Sequence, residues 1–172
     1  LAVHVQRTGC CDAERALDGV TSQICSQQGQ SGQWCWLYDA GRGGVIDPYP
    51  VFSVHQDGMA PMALMEAGRA LRRSFVAPID RGLQWIYGDN EVGQSLILAD
   101  AGLVLRDIHQ RGVERFGRAA RALMTCCGLK RRADVWLTPK RCVVNAECRP
   151  YHLGWILYAA ALACGEYATT SR

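Results

Sequence analysis

The sequence has no apolar run near the roughly 20 residues that a helix needs to cross a membrane. The longest one, around Trp155 to Cys164, is too short and carries the polar hydroxyl of Tyr158. We therefore expect a soluble protein without a membrane partner.

A strong charge of one sign and a biased composition are also lacking. The net charge is +3, and 49% of the residues are hydrophobic. This composition is that of a globular domain and excludes disordered, collagen-like and coiled-coil chains. Basic residues alternate with acids except in the short run at Lys130, Arg131 and Arg132. Because no broad basic surface is indicated, we expect no nucleic-acid partner.

Cysteine is abundant, with nine residues, but none of them forms a C-x-x-C pair. This absence argues against a zinc ribbon or a thioredoxin-like site. Cys127 and Cys164 fall on apolar helix faces, where a free thiol behaves as a small hydrophobic group. We expect inert core thiols, no metal and no cofactor, although a disulfide stays an alternative. Reduced thiols favour a cytoplasmic location.

The chain starts at Leu1, with neither an initiating methionine nor a charged and then apolar leader. We expect residues 1–172 to form a single α-helical domain that is the C-terminal portion of a longer chain.

Apolar residues recur at helical spacing in several long segments. The pattern predicts helices over 13–24, 59–71, from Pro78 onward, over 113–128 and over 150–164. The stretches 34–38 and 103–108 alternate and are either strands or extended loops, too few for a sheet-based core. We therefore predict an all-α fold whose connections, about 25 to 30 residues long, exceed those of a simple bundle.

Aromatic and polar residues concentrate in the first long connection. Flat rings beside carboxylates and amides suit a sugar, whose C–H faces stack while its hydroxyls form hydrogen bonds. The alternative is that the rings cover helix ends and that the histidine caps a turn. The candidates are Trp34, Trp36, Tyr49, His55, Gln56 and Asp57.

The second connection places Asp89, Asn90 and Glu91 directly after Gly88, which is positioned to end a helix. Two carboxylates can divide acid and base duties if their surroundings separate their pKa values. Turn formation alone would also explain this sequence.

The third connection brings Arg149, Tyr151 and His152 to the start of the last predicted helix. Arg149 is suited to clamp a carboxylate or a phosphate. His152 either caps the helix or takes part in catalysis, and the structural role is the favoured interpretation.

Together these loops resemble the C-terminal part of the six-hairpin glycosidase-like (α/α) toroid proteins. The matching segments are Trp34–Asp39, Tyr49–Pro61, Trp85–Gly93 and Arg149–Trp155, and the second and fourth resemble uncharacterised bacterial members of that group. The resemblance spans about 13–163 and implies helical hairpins of an (α/α)6 toroid around a cleft that takes a saccharide. Fewer helices are predicted than a full ring needs, so either an N-terminal portion is missing or the ring is open and incomplete.

The leading functional hypothesis is a glycosidase-like enzyme, or a fragment of one. In it Asp57 and Glu91 form the acid and base pair, and His55, Asp89 and Asn90 assist them. Trp34, Trp36 and Tyr49 would form the stacking surface. The other residues that bind the substrate would be Gln56, Arg149, Tyr151 and His152.

Three alternatives remain open from the sequence. The first is a sugar epimerase in which His55 or His152 removes a proton next to a carbonyl. The second is a non-catalytic helical domain that binds a saccharide or a partner chain. The third is a helical domain whose loops only cover the helix ends. Hydrolases, lyases and epimerases share the toroid architecture, so fold alone does not decide among them.

Overall fold

The structure is a computed structural model that describes residues 1–39, 41, 43–111 and 142–170. Over this part the chain forms five α-helices and seven short strands, and the strands make three antiparallel sheets. The predicted all-α fold of toroid hairpins is therefore wrong. The described part of the protein is a mixed α and β structure.

The helices follow the apolar periodicity of the sequence. The predictions for α2, α3, α4 and the beginning of α5 are confirmed, whereas the short α1 was not predicted because seven residues contain too few apolar repeats. The predicted helix over 113–128 lies outside the described residues. The bounds are α1 (Ala2–Thr8), α2 (Cys11–Ser26), α3 (Ala60–Leu71), α4 (Val76–Tyr87) and α5 (Pro150–Thr170).

Two shorter helical turns complete the set. A π-helix, His55–Met59, runs directly into α3, and a 3-10 turn covers Ala99–Ala101. Helix α3 carries Pro61 in its first turn, where the missing N–H costs no helical hydrogen bond. Helix α4 ends at Gly88, whose φ of 128° is readily adopted only by glycine.

The strands are two to four residues long, and the largest sheet has three of them. In that sheet β6 lies between β3 and β7, so that Phe52 pairs with Asp107 and Asp107 pairs with Asn145. The bounds are β1 (Leu37–Asp39), β2 (Gly44–Asp47), β3 (Val51–Phe52), β4 (Ile97–Leu98), β5 (Leu103–Val104), β6 (Asp107–Gln110) and β7 (Cys142–Asn145).

These strands explain why the all-α prediction failed. Alternation over two to four residues is too short to identify a strand, and the partners of β6 are distant in the sequence. Only the stretches 34–38 and 103–108 were considered extended, and they do overlap β1, β5 and β6. Since the third strand of the main sheet comes from Cys142–Asn145, the sheet is assembled by contacts that local periodicity does not report.

Two hydrophobic clusters form the core. The first joins the main sheet to α4 and contains Val51, Trp85 and Ile108. The second joins α1, α2 and α3 around Trp34 and Leu64. The π-helix contacts α4 and α5 and continues into α3, so it lies where the elements of the two clusters meet.

The fifth helix differs from its sequence-based prediction in its surroundings. A helix that is apolar nearly all round is typical of a buried position. In the structure Tyr151, Leu157 and Tyr158 of α5 are exposed, whereas His152 and Ala159 are buried. Among the described residues, no helix combines the length and the apolar character that a membrane span requires.

Candidate functional site

The site is built around the π-helix His55–Met59. The N–H of Ala60 donates to the carbonyl of His55, five residues earlier, which is the wide turn of a π-helix. Pro61 has no N–H for the carbonyl of Asp57, so the ordinary α-helical bond cannot form there. Single π turns inside helices are rare and occur frequently at functional sites.

Asp57 and His152 form a buried pair that joins the π-helix to the first turn of α5. The Asp57 Oδ1 and His152 Nε2 atoms lie 2.6 Å apart, and an ionised carboxylate accepts this hydrogen bond. The side chains are only 8% and 3% exposed, respectively. Burial raises the pKa of Asp57, while the hydrogen bond and the charge of His152 act in the opposite direction. The pair therefore holds a proton between two groups inside the protein.

His55 belongs to a cluster of three rings next to this pair. Its imidazole stacks on Trp36 at 5.0 Å between centroids and 9° between planes. Phe52 meets His55 edge to face at 5.6 Å. Burial and the nearby charge of His152 lower the pKa of His55. The imidazole of His55 is therefore held in its neutral form at neutral pH, as a base requires.

Trp36 is the exposed member of the ring cluster. Its side chain is 59% exposed although it stacks on His55 and also contacts Phe52 edge to face. An exposed indole ring beside polar groups offers a face on which the ring of a ligand can stack. By contrast, Trp34 is buried in the second hydrophobic cluster and takes no part in this surface.

An ion-pair network lies next to the Phe52 ring of the ring cluster. The Arg106 guanidinium lies 5.5 Å from the centroid of the Phe52 ring and is paired with Glu147. Glu147 also accepts a bond from Arg149 at 2.6 Å, so the predicted anion clamp is engaged by the protein itself. The hydrogen bond from Arg106 lowers the pKa of Glu147. These partly exposed pairs contribute little stability, but the Arg106 guanidinium lies close to the ring cluster.

Gln56, predicted to bind substrate, is fully buried between its two functional neighbours. Its Oε1 accepts the N–H of Trp34 at 2.9 Å, and its Nε2 donates to the Trp34 carbonyl at 3.1 Å. A second Nε2 bond reaches the carbonyl of Phe52 at 3.2 Å. The carboxamide therefore forms its hydrogen bonds with the backbone of the chain.

Glu91 occupies a different environment from Asp57. Its Oε2 accepts the indole N–H of Trp85 at 2.9 Å in the first hydrophobic cluster. Among the described hydrogen bonds, Glu91 and Asp57 have no partner in common. The structure thus groups Asp57 with His55 and His152, and the predicted pairing of Asp57 with Glu91 stays a prediction.

The neighbours of Glu91 stabilise its loop. The Asn90 side chain donates to the carbonyls of Trp85 at 2.8 Å and Gln94 at 2.7 Å, and its Oδ1 accepts the N–H of Val92. Asp89 is exposed and follows the glycine that ends α4. These contacts account for Asn90 as a turn residue, the alternative that the sequence left open.

Tyr49 and Tyr151, the two predicted tyrosines, lie in opposite settings. Tyr49 is buried in the first cluster, where burial, the charge of Glu91 and the Cys142 thiol raise its pKa. Burial likewise raises the pKa of Cys35 to about 11, which keeps this thiol protonated. Tyr151 is exposed next to His152 at the start of α5.

Phe52 and Arg106 are site residues that the sequence did not reveal. Phe52 lies in the segment before His55, but a single phenylalanine in a short strand carries no distinctive signal. Arg106 is one of many arginines, and only the pairing of β3 with β6 brings it over the Phe52 ring.

No set of three or more histidine, cysteine or acidic side chains within the described ranges is arranged to bind a metal ion. The chain matches no protein-family model, no curated protein and no solved structure.

Proposed function

We propose that this protein is a carbohydrate-active enzyme in which His55, Asp57 and His152 transfer protons on a bound saccharide. The observation that carries the proposal is the buried 2.6 Å hydrogen bond between Asp57 and His152, which lies beside a second histidine. A buried carboxyl group with a raised pKa that shares a hydrogen bond with a histidine is typical of acid and base catalysis.

The saccharide class rests on the exposed ring beside this group. Trp36 offers an open aromatic face next to His55, and the C–H face of a sugar ring stacks on such a surface. This open aromatic face next to a histidine supports a saccharide as the ligand.

The reaction that this arrangement supports best is proton transfer next to a carbonyl, as in a sugar epimerase. Neutral His55 takes the proton from the carbon beside the carbonyl; the electron pair of that C–H bond forms a carbon–carbon double bond, and the carbonyl π pair moves onto oxygen to give an enediolate. His152, as an imidazolium whose Nε2–H is held by the Asp57 carboxylate, then gives the proton on Nδ1 to the opposite face of that carbon, and the oxygen electrons restore the carbonyl. His55 loses its proton to water and His152 regains one from water before the next turnover. The configuration is inverted without net oxidation or reduction.

Hydrolysis of a glycosidic bond is the second candidate, and the raised pKa of Asp57 favours it. A protonated carboxyl can donate to the leaving oxygen, as the acid of a glycosidase does. Such an enzyme usually needs a second carboxylate about 5 to 9.5 Å away. Because Glu91 bonds to Trp85, the histidine-based reaction has the stronger support.

The two reactions differ in what they leave in the product. The wild-type protein is incubated in D2O with reducing sugars, including uronic and amino sugars, and with oligosaccharides. We expect deuterium at the carbon next to the carbonyl and no new reducing ends. New reducing ends without deuterium would indicate hydrolysis, and binding without either change would indicate a saccharide-binding protein. Absence of binding across the panel would contradict the saccharide class itself.

The same proposal includes a cytoplasmic location and no resident cofactor. The cysteines within the described ranges are free thiols, namely Cys10, Cys11, Cys25, Cys35, Cys142, Cys148 and Cys164. Free thiols persist where the compartment is reducing, which supports the cytoplasm.

A further inference from the structure

Gln56 lies between two proposed proton-transfer residues, yet its own side chain points away from solvent. It is 0% exposed, and its carboxamide forms bonds to both backbone polar groups of Trp34. A third bond goes to the carbonyl of Phe52, which precedes the π-helix. One side chain therefore ties the loop that carries Trp36 to the backbone turn that carries His55 and Asp57.

The orientation of this amide is fixed by its partners. Oε1 faces an N–H, and Nε2 faces two carbonyl oxygens, so an exchange of the two atoms would oppose donors to donors and acceptors to acceptors. Glutamine is the residue that supplies one acceptor and two donors in this geometry. A buried polar network of this kind selects one arrangement when it is fully satisfied.

Each residue tied by Gln56 is adjacent to a functional side chain. Trp34 is two residues before Trp36, whose ring stacks on His55. In the π-helix, His55 precedes Gln56 and Asp57 follows it. The side chain of His55 contacts Trp36. The side chain of Asp57 bonds to His152. A change in the position of the Gln56 backbone would therefore displace both groups.

We propose that Gln56 is a positioning residue that keeps the imidazole of His55 stacked on Trp36 and the carboxylate of Asp57 directed at His152. The inference rests on the proposed function, since the groups that it positions are the proton-transfer groups of that proposal. Gln56 itself contacts neither substrate nor reacting atoms in this role.

Nuclear magnetic resonance of the ring protons tests the positioning without any substrate. The full chain is labelled at its four histidines, and the reference variant Trp36→Ala shows where the His55 signal lies without the stack. In Gln56→Met we expect the His55 signal to move to that reference position and its titration midpoint to rise. The signal of His109, which bonds to Asp107 on β6, should stay in place.

Gln28 provides a control because its amide donates to two backbone carbonyls, one of them in the same loop as Trp34, but does not bond to the π-helix. Gln28 Nε2 donates to the carbonyls of Gly32 at 2.7 Å and Pro78 at 2.8 Å, and neither residue is in the π-helix. Gln28→Met should leave the His55 signal in its wild-type position. An unmoved His55 signal in Gln56→Met, or an equal movement in Gln28→Met, would overturn the proposal.

Gln56→Glu is a second variant for the case in which Gln56→Met does not fold. While the introduced carboxyl is protonated, it accepts the Trp34 N–H and donates to one carbonyl; once ionised, it repels both carbonyls. As pH rises through this ionisation, the His55 signal should move toward its position in Trp36→Ala. A signal that stays at the wild-type position on both sides of the transition would refute the positioning role.

Activity separates this inference from the proposed function. We expect Gln56→Met to lower kcat about 100-fold, the loss that a displacement of about 1 Å can produce, with a smaller change in KM. If the wild type turns over no sugar while the His55 signal responds as expected, the proposed function fails and the ring geometry is confirmed. If turnover in Gln56→Met stays near that of the wild type although the stack is lost, Gln56 holds the stack but catalysis does not need it, which contradicts the role of His55 in the proposed function.

Discussion

At the scale of residues, the described chain contains two histidine–aspartate pairs in different surroundings. In the pair of Asp57 and His152 both side chains are almost completely buried. In the pair of Asp107 and His109 the carboxylate is buried, but the histidine is 41% exposed. Water screens the pair of Asp107 and His109 but not the pair of Asp57 and His152. The interaction free energy of the buried pair should therefore be the larger, although both pairs consist of the same residue types.

Double-mutant cycles measure that difference. For Asp57→Asn and His152→Gln we expect a coupling energy of about 1.5 to 3 kcal/mol, as for a buried hydrogen bond to a charged group. For Asp107→Asn and His109→Gln we expect less than about 1 kcal/mol. Denaturant unfolding of the single and double variants gives both values. Equal coupling in the two cycles would show that the buried pair has no special strength.

The lowered pKa of His55 predicts a dependence of stability on pH. In the unfolded chain His55 binds a proton near its ordinary pKa of 6.5, whereas the folded protein binds it only at lower pH. The free energy of unfolding should therefore decrease as pH falls from above 6.5 toward the lowered value. Asp57 acts in the opposite sense, because its raised pKa makes stability decrease as pH rises above 3.8.

Substitution of His55 isolates its contribution to the pH dependence of the free energy of unfolding. In His55→Gln the number of protons taken up on unfolding below pH 6.5 should fall, by at most about one. Denaturant unfolding at a series of pH values, compared with the wild type, gives this number. An unchanged slope would mean that His55 titrates alike in the folded and unfolded chains.

At the scale of elements, the π-helix functions as the junction of the site. It continues into α3 and packs against α4 and α5. The approach to α5 is close at one point, since a Cβ added to Gly58 would lie 2.9 Å from the Cβ of Trp155. This contact sets the distance between the π-helix that carries Asp57 and the helix that carries His152.

Gly58→Ala should therefore separate these two elements. We expect a loss of about 1 to 3 kcal/mol in the free energy of unfolding, as for overpacking of a core. Gly19→Ala is the matched control, because Gly19 lies inside α2 with no atom within 4 Å of the added Cβ. The control should gain roughly 0.5 to 1 kcal/mol from improved helix propensity. Thermal or denaturant unfolding compares them, and a Gly58→Ala protein as stable as Gly19→Ala would argue against the close contact.

At the scale of the whole molecule, helices were predictable and the sheets were not. Helices of 12 or more residues contain several apolar repeats, so α2, α3 and α4 could be identified from local spacing. The strands are too short for this, and the main sheet joins Val51–Phe52 to Asp107–Gln110 and Cys142–Asn145. Its stability comes from contacts between distant segments, which a reading of local periodicity does not include.

Four members of the candidate site were predictable, whereas Phe52, Arg106 and the pairing of the site residues were not. His55, Asp57, Trp36 and His152 stood out as polar or aromatic residues in long connections. The hydrogen bond between Asp57 and His152, however, joins residues 95 positions apart. The sequence predicts Gln56 as a ligand-binding residue, since residue type alone does not distinguish a buried amide from an exposed one.

The central claim, that the two histidines and Asp57 move protons on a saccharide, is tested most directly by deuterium incorporation in matched variants. Reducing sugars that exchange with the wild type in D2O are incubated with His55→Gln, Asp57→Asn and His152→Gln, and with His109→Gln as the control. Because loss of a general acid or base costs about 100-fold or more, we predict that the first three lose exchange to that extent while the control retains it. Full exchange in His55→Gln and His152→Gln, or an equal loss in His109→Gln, would contradict the account.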